Sequence, residues 1–461
     1  MRPLEILTSI FLAVYTIWPH NQQTHHLIIN VLPVIILLVL LIHLVIEGYR
    51  WQMVPLYLLT IMILILHQLN IDFNTAGSIL TFILLAASIA LPVLLPVPII
   101  PKPSGPLQVG TTTFALTDTS RKELYSEKDE ARQIMVQVWY PANPKTTDKR
   151  APWVSNAKIF APAISSYINL PSFFLDHLGL VKIPAYQDTQ PAPSKTGYPV
   201  ILFSHGWNGF SAQNTGQALE LASHGYVVIG VQHTYGAVVT IFPDGKIAYN
   251  NPKALPDDNV PTAEYETTAR ILVNQWAGDL SFTLDHMEQQ YKDPKSPFFT
   301  LLDLSKVGAY GHSTGGGAAI QFCGTDTRCK ALLGMDPFMR PISIDVLDKG
   351  TTQPAFFMFS QTWRDDKDSR NNELFSKYYP HLPQNTRVVF IENTAHYDFT
   401  DLPLLSPLAP QLGLKGSING QRVIKTINDY LLSFFESNLR GKPANLFEDK
   451  STQYPEVHYL Y

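Results

Sequence analysis

The stretch Lys306-Val307-Gly308-Ala309-Tyr310-Gly311-His312-Ser313-Thr314-Gly315-Gly316-Gly317 decides the fold. An apolar run suited to a buried strand leads into Gly-x-Ser-x-Gly and then into small residues suited to a tightly packed helix. A strand, a sharp turn and a helix are the setting in which a serine is raised above a sheet as a nucleophile. Gly311 and Gly315 flank Ser313 because such a turn strains the backbone and brings neighbouring chain too close for a Cβ. The five-residue pattern alone has little specificity; the strand before it and the helix after it carry the reading.

On either side of this stretch the chain alternates. Val200 to Phe203, Val227 to Val231, Ala331 to Gly334, Ala355 to Phe359 and Val388 to Ile391 are short apolar runs of the kind buried on both faces of a sheet. Ile134 to Tyr140 alternates like a half-buried strand. Helical patterns fall between them at Thr215 to Ser223, Ala263 to Gln290, Gly315 to Phe322 and Ile418 to Asn438. Strands alternating with helices predict a mainly parallel sheet flanked by helices, an α/β fold. Pro141 to Pro199 does not fit the alternation.

A serine hydroxyl attacks only if a histidine takes its proton and a carboxylate holds that histidine in the right tautomer. On a sheet of this kind the chain order is serine, acid, histidine. His381 lies in a Pro-flanked loop before the last strand and His458 in the C-terminal tail, whereas His396 follows that strand directly, in Asn393-Thr394-Ala395-His396-Tyr397. His396 is therefore the expected base. For the acid, Asp365 and Asp366 stand in a charged run that reads as a solvated loop, while Asp336 emerges from an apolar strand with Pro337 fixing the turn. Asp336 is preferred. The oxyanion that forms on attack needs donors, expected from the backbone N–H groups of Thr314, after the serine, and of Trp207, after the apolar strand that breaks into Ser204-His205-Gly206.

The chain has 461 residues, 46% hydrophobic and only 16% charged. The deficit is local: the first hundred residues hold five charged side chains, Arg2, Glu5, Glu47, Arg50 and Asp72, and the remaining 361 have an ordinary charged fraction. Leu27 to Ile46, Gln52 to Leu69 and Ala76 to about Ile100 read as membrane spans, and the shorter Leu4 to Trp18 as a fourth span or a re-entrant piece. Trp18, Tyr49 and Trp51 stand at segment ends, where aromatic rings anchor at a lipid interface. The division expected is a bundle of three or four transmembrane helices over residues 1–100, a Pro/Gly linker over 101–110 and a catalytic domain over 111–461. Arg2, Arg50 and Lys102 on one side would place the catalytic part in the cytoplasm, whereas a disulfide between Cys323 and Cys329 would suit an oxidising compartment. Free thiols at those two positions are the alternative.

Net charge is −4, with no basic field for nucleic acid. Metal-binding motifs are absent, as is a Gly-rich dinucleotide loop, so neither a metal nor a cofactor is expected. The adjacent His25 and His26 read as a polar loop.

Gly105-Pro106 with Val109-Gly110-Thr111, Ile134 to Ala142, Phe203 to Gly206, Leu221 to Tyr226, Gly311 to Gly316, Asp336, His396 and Leu412 to Ile418 together resemble the platelet-activating-factor acetylhydrolases of the plasma, lipid-associated type and their bacterial dienelactone-hydrolase-like relatives. The resemblance covers roughly residues 104 to 440. It implies an α/β-hydrolase fold, an acid on the strand right after the nucleophile, hence Asp336, and calcium-independent release of short or oxidised acyl chains from phospholipid-like esters. The N-terminal apolar segment and Pro152 to Pro184 depart from the family pattern. The expectation is a membrane-anchored serine esterase whose partners are a small ester or phospholipid and the bilayer, with oligomeric state open. Thioesterase or peptidase chemistry on the same triad and a non-catalytic binding role are the alternatives. Phe173, Phe174, Leu175, Leu178 and Leu180 are expected to line an acyl entrance, touch the bilayer or join a core.

Overall fold

Strand order explains why the motif residues meet. In the computed structural model an eleven-stranded sheet runs β13-β12-β11-β10-β9-β5-β6-β2-β1-β4-β3. The strands are β1 (Gln108–Lys122), β2 (Ala131–Ala142), β3 (Arg150–Pro152), β4 (Lys182–Gln187), β5 (Tyr198–Ser204), β6 (Val227–Gln232), β9 (Leu302–His312), β10 (Cys329–Met335), β11 (Ala355–Ser360), β12 (Arg387–Ile391) and β13 (Val457–Tyr459). A separate hairpin pairs β7 (Val239–Ile241) with β8 (Ile247–Tyr249). The structure describes residues 1–17, 26–69, 71, 75–257, 259–366, 369–411, 413–443, 445–448 and 453–460. Trp18, His25, Asp72, Asp368 and Leu412 lie outside the described residues, as does the side chain of His26.

From β6 through β5, β9, β10 and β11 to β12 every neighbouring pair is parallel. These are the short apolar runs, and their near-complete burial is what a sheet covered on both faces requires. β1 and β2 pair antiparallel beside them. β1 was not legible as a strand because it is Thr-rich and half its side chains are exposed. Its β-branched threonines suit a pleated surface with one wet face. Three helices matter for the site: α6 (Thr215–Ser223), α7 (Thr262–Lys292) and α8 (Thr314–Thr325), the last starting one residue after Ser313. On α7, Ala269, Leu272, Val273, Trp276, Asp279, Leu280 and Thr283 are buried at spacings of three and four, one stripe of a helix against the core.

The chain divides into two compact units. The larger comprises 100–153, 182–404 and 409–461, and holds the sheet. The stretch 101–110 belongs to it, and its last three residues already open β1. The smaller comprises 1–99, 154–181 and 405–408, so a segment from the middle of the chain folds with the N-terminal helices. It contains α1 (Pro3–Ile17), α2 (His26–Ile46), α3 (Val54–Leu69), α4 (Thr75–Leu94) and α5 (Ala157–Tyr167). The Trp51 indole donates to the Phe174 carbonyl at 2.9 Å and its ring packs on Phe173 and Phe174. Leu175 and Leu178 are core here, while Phe173 is half exposed. The stretch 152–184 that departs from the family pattern is thus largely this insertion.

Among the described residues two helical segments, Trp51–Leu69 and Thr75–Leu94, have the length and apolarity to cross a bilayer, not the three or four expected. The 15 residues of α1 rise about 22 Å, short of a core of roughly 30 Å. α2 runs over 21 residues, His26–Ile46, of which Val31–Ile46 is an apolar stretch with described side chains. The last expected span ends early, at Leu94, before Pro96 and Pro98. Arg50 donates to both carboxylate oxygens of Glu5, at 2.7 and 2.6 Å, and Arg2 pairs with Glu5 and Glu47. The two arginines that would fix orientation are therefore bound to acids.

Candidate active site

At the C-terminal end of β9 the chain passes through Ser313 with φ 56° and ψ −125°, a left-handed conformation that a non-glycine residue adopts only under constraint. The constraint is visible on both sides. The Ser313 N–H donates to the Met335 carbonyl at 3.0 Å, and its own carbonyl accepts from Gly317 and Phe338. A Cβ at Gly311 would collide with the backbone of Gly315 and one at Gly315 with the carbonyls of Ser204 and His205, so both positions exclude a side chain. This is the turn expected from the sequence, and it aims Ser313 out of the sheet ahead of α8.

Parallel register puts the other residues on neighbouring strand ends. Met335 pairs with His312 and Met358 with Met335, so the chain leaves β10 at Asp336 beside the serine and leaves β11 at Ser360 beside Asp336. His396 follows β12 and donates from Nδ1 to Asp336 Oδ2 at 3.0 Å. The Asp336 carboxylate also accepts from the Ser360 N–H at 2.7 Å and its hydroxyl at 2.6 Å. Asp336 is buried, whereas the His396 side chain is 39% exposed, so one end of the pair is fixed and the other faces solvent. Asp365, the rival acid, instead pairs with Arg364 at 2.6 Å on the surface. His458 lies on β13 within 3.3 Å of Glu392, and His381 stands ahead of β12. Among the described residues the Ser313 hydroxyl makes no hydrogen bond.

Several contributors left no local signal in the sequence. His312 is buried and packs, tilted, against the His396 ring with centroids 4.4 Å apart; its Nε2–H donates to the His396 carbonyl at 2.9 Å, and Gln213 donates to its Nδ1 at 3.2 Å. Burial holds the His312 imidazole well below the usual histidine range, so it is a neutral prop. Asp398 accepts from the N–H groups of Ala395 and Gly416 at 2.8 and 2.6 Å, tying the His396 loop to Leu414-Lys415-Gly416. Burial pushes the Asp398 carboxyl up.

Of the two expected oxyanion donors, Thr314 follows the serine in the chain and Trp207 follows Gly206. Thr314 is the first residue of α8, where an N–H has no partner within the helix. Gly206 approaches so closely that a Cβ there would stand 3.3 Å from the Ser313 Cβ. Among the described residues neither the Trp207 N–H nor the Thr314 N–H has a hydrogen-bond acceptor. Cys323 and Cys329 form a disulfide, with Cα atoms 5.1 Å apart, joining the end of α8 to the start of β10. Of the described acidic and imidazole groups, Glu5, His43 and Glu47 lie close enough to share a cation, but Arg2 and Arg50 already neutralise those carboxylates.

The chain is 28% identical to a platelet-activating factor acetylhydrolase of Cavia porcellus over 361 residues, 74% of this chain and 78% of the relative. It is 24% identical to a probable 1-alkyl-2-acetylglycerophosphocholine esterase of Arthroderma benhamiae, over 78% of this chain and 94% of that one. Among solved structures, a ferulic acid esterase from Streptomyces cinnamoneus superimposes with a TM-score of 0.66 at 25% identity, covering 79% of this chain and all of that one. The family model for platelet-activating factor acetylhydrolase, isoform II, matches residues 96–452, and the chain belongs to that family of carboxylic ester hydrolases.

Proposed function

We propose that this ester hydrolase works through a triad in which Ser313 is the nucleophile, His396 the base and Asp336 the carboxylate that orients it. The observation that carries this reading is the 3.0 Å bond from His396 Nδ1 to Asp336 Oδ2 beside the strained Ser313 turn. With the Nδ1 proton committed to Asp336, the Nε2 lone pair is the one free to take the Ser313 proton as Oγ attacks an ester carbonyl. The Trp207 and Thr314 N–H groups then hold the oxyanion. His396 returns the proton to the departing alcohol, and a water activated by the same nitrogen releases the acid from the acyl-enzyme.

The substrate proposed is a phospholipid-like ester with a short or oxidised acyl chain, on the strength of the relatives' names. The segments Trp51–Leu69 and Thr75–Leu94 would hold the enzyme at a bilayer, and the Cys323–Cys329 disulfide favours an oxidising compartment for the sheet-bearing unit. Incubating the purified chain with 1-alkyl-2-acetyl and long-chain diacyl glycerophosphocholines tests the substrate class. Acetate release exceeding long-chain fatty acid release supports it, and the reverse order refutes it. Reporter fusions after Pro101 test the compartment.

A further inference from the structure

A second serine, histidine and aspartate are lined up beside the first, starting on β5, which pairs directly with β9. Ser204 ends β5, His233 follows β6 and Asp279 projects from α7; all three are fully buried. His233 Nδ1 lies 2.9 Å from Asp279 Oδ2, and His233 Nε2 lies 2.9 Å from Ser204 Oγ. An ester cannot reach Ser204 there, so this array is not a second hydrolytic centre.

The protons can be placed from the partners. Burial pushes the Asp279 carboxyl up, but the Arg132 guanidinium beside it, with His233, holds it below the usual carboxylate range. Arg132 donates to it at 2.6 and 3.1 Å and Arg121 at 2.9 Å. Burial keeps His233 neutral. The anion therefore takes the His233 Nδ1–H, and the bare Nε2 accepts the Ser204 hydroxyl. The His233 backbone N–H donates to His205 Nε2 at 3.2 Å, so the proton of His205, also neutral through burial, sits on Nδ1. A carbonyl can only accept, and His205 Nδ1–H donates to the Gly206 carbonyl at 2.7 Å. Trp276 closes the site, stacked on His233 at 4.2 Å and packed against His205 at 5.2 Å.

The Gly206 carbonyl is half of the peptide whose other half is the Trp207 N–H. In a planar trans peptide the two point in opposite directions. The carbonyl is pinned by His205 and by the Gly209 N–H at 2.9 Å, and the next N–H, of Asn208, is held by the Gly236 carbonyl at 3.0 Å. The Trp207 N–H is left over, on the side away from His205.

We propose that His205, fixed in its tautomer by the His233 backbone N–H, is a positioning residue for ester hydrolysis: it anchors the Gly206 carbonyl and so aims the Trp207 N–H at the developing oxyanion. This rests on the donor role given to Trp207 above. It gives the Ser-His-Gly stretch before Trp207 a mechanical meaning.

Three variants test it. Asn at position 205 places an amide N–H near the site of Nδ1–H, Gln places one near Nε2, and Phe keeps the ring against Trp276 with no donor. For p-nitrophenyl acetate, kcat should fall about 10- to 100-fold in His205→Phe and His205→Gln, with KM within about twofold, and recover at least about fivefold in His205→Asn relative to His205→Gln. Thermal midpoints recorded alongside separate this from general destabilisation, and if the Phe variant does not fold, the Asn and Gln pair decides. Unchanged kcat in His205→Gln, or equal losses in the Asn and Gln variants at equal thermal midpoints, overturns the proposal. Turnover persisting in Ser313→Ala would instead overturn the triad, and the two failures are distinct.

Discussion

The bond from His396 to Asp336 and the bond from His233 to Asp279 are 3.0 and 2.9 Å long, so geometry alone does not separate the two arrays. Their surroundings do. Asp336 is held by neutral donors, the N–H and hydroxyl of Ser360, and its histidine is partly exposed. Asp279 is held by two guanidiniums, and everything bonded to its histidine is buried. An uncompensated carboxylate can stabilise the imidazolium that forms when His396 takes a proton; a carboxylate already neutralised by arginine has little to offer His233. On the triad proposed above, one array moves a proton and the other keeps every proton in place. A serine, histidine and aspartate in line therefore do not identify a catalytic centre until access and countercharge are known.

Exchanging the carboxylates for amides should break this comparison most sharply. Asp336→Asn should lower kcat by about 10⁴-fold with little change in thermal midpoint, because the amide favours the wrong His396 tautomer. Asp279→Asn should act chiefly on stability, by about 3–5 kcal/mol in urea denaturation, since it leaves the buried Arg132 with only Glu123 as a full counter-ion. The reverse ranking would show that the roles are misassigned. Removing the buried hydroxyl in Ser204→Ala should cost about 1–3 kcal/mol, the penalty for an unpaired His233 Nε2, and leave the enzyme reactive towards fluorophosphonate.

The smallest effect belongs to a third buried carboxylate. Asp401 accepts from the Gly216 N–H at 3.2 Å, and burial pushes its carboxyl from 3.8 up to about 7. A group whose folded pKa is raised contributes stability at low pH that is lost as pH climbs, here between about 4 and about 7. Asp401→Asn keeps the neutral form and should raise the thermal midpoint relative to the native chain at pH 8 more than at pH 5. A constant difference across that range would contradict the assignment.

Ser313 was legible because the elbow demands glycines at fixed places, and His396 and Asp336 because parallel strands bring successive C-terminal ends together. His233 and Asp279 were not: they sit 29 and 75 positions after Ser204, in stretches with no local peculiarity, and only packing of α7 on the sheet joins them. The insertion 154–181 resisted placement for a similar reason, since its partners are among the first hundred residues. Of the three or four expected spans, two segments among the described residues have the length and apolarity to cross a bilayer, and α1 is too short.

The most direct test uses both serines at once. The native chain is labelled with a fluorophosphonate, digested, and the modified peptide sequenced by mass spectrometry, with Ser313→Ala run in parallel. The adduct should fall on Ser313 alone, and the variant should lose both labelling and p-nitrophenyl acetate turnover while keeping its thermal midpoint. An adduct on Ser204, or turnover surviving in Ser313→Ala, would contradict the division of labour between the two arrays.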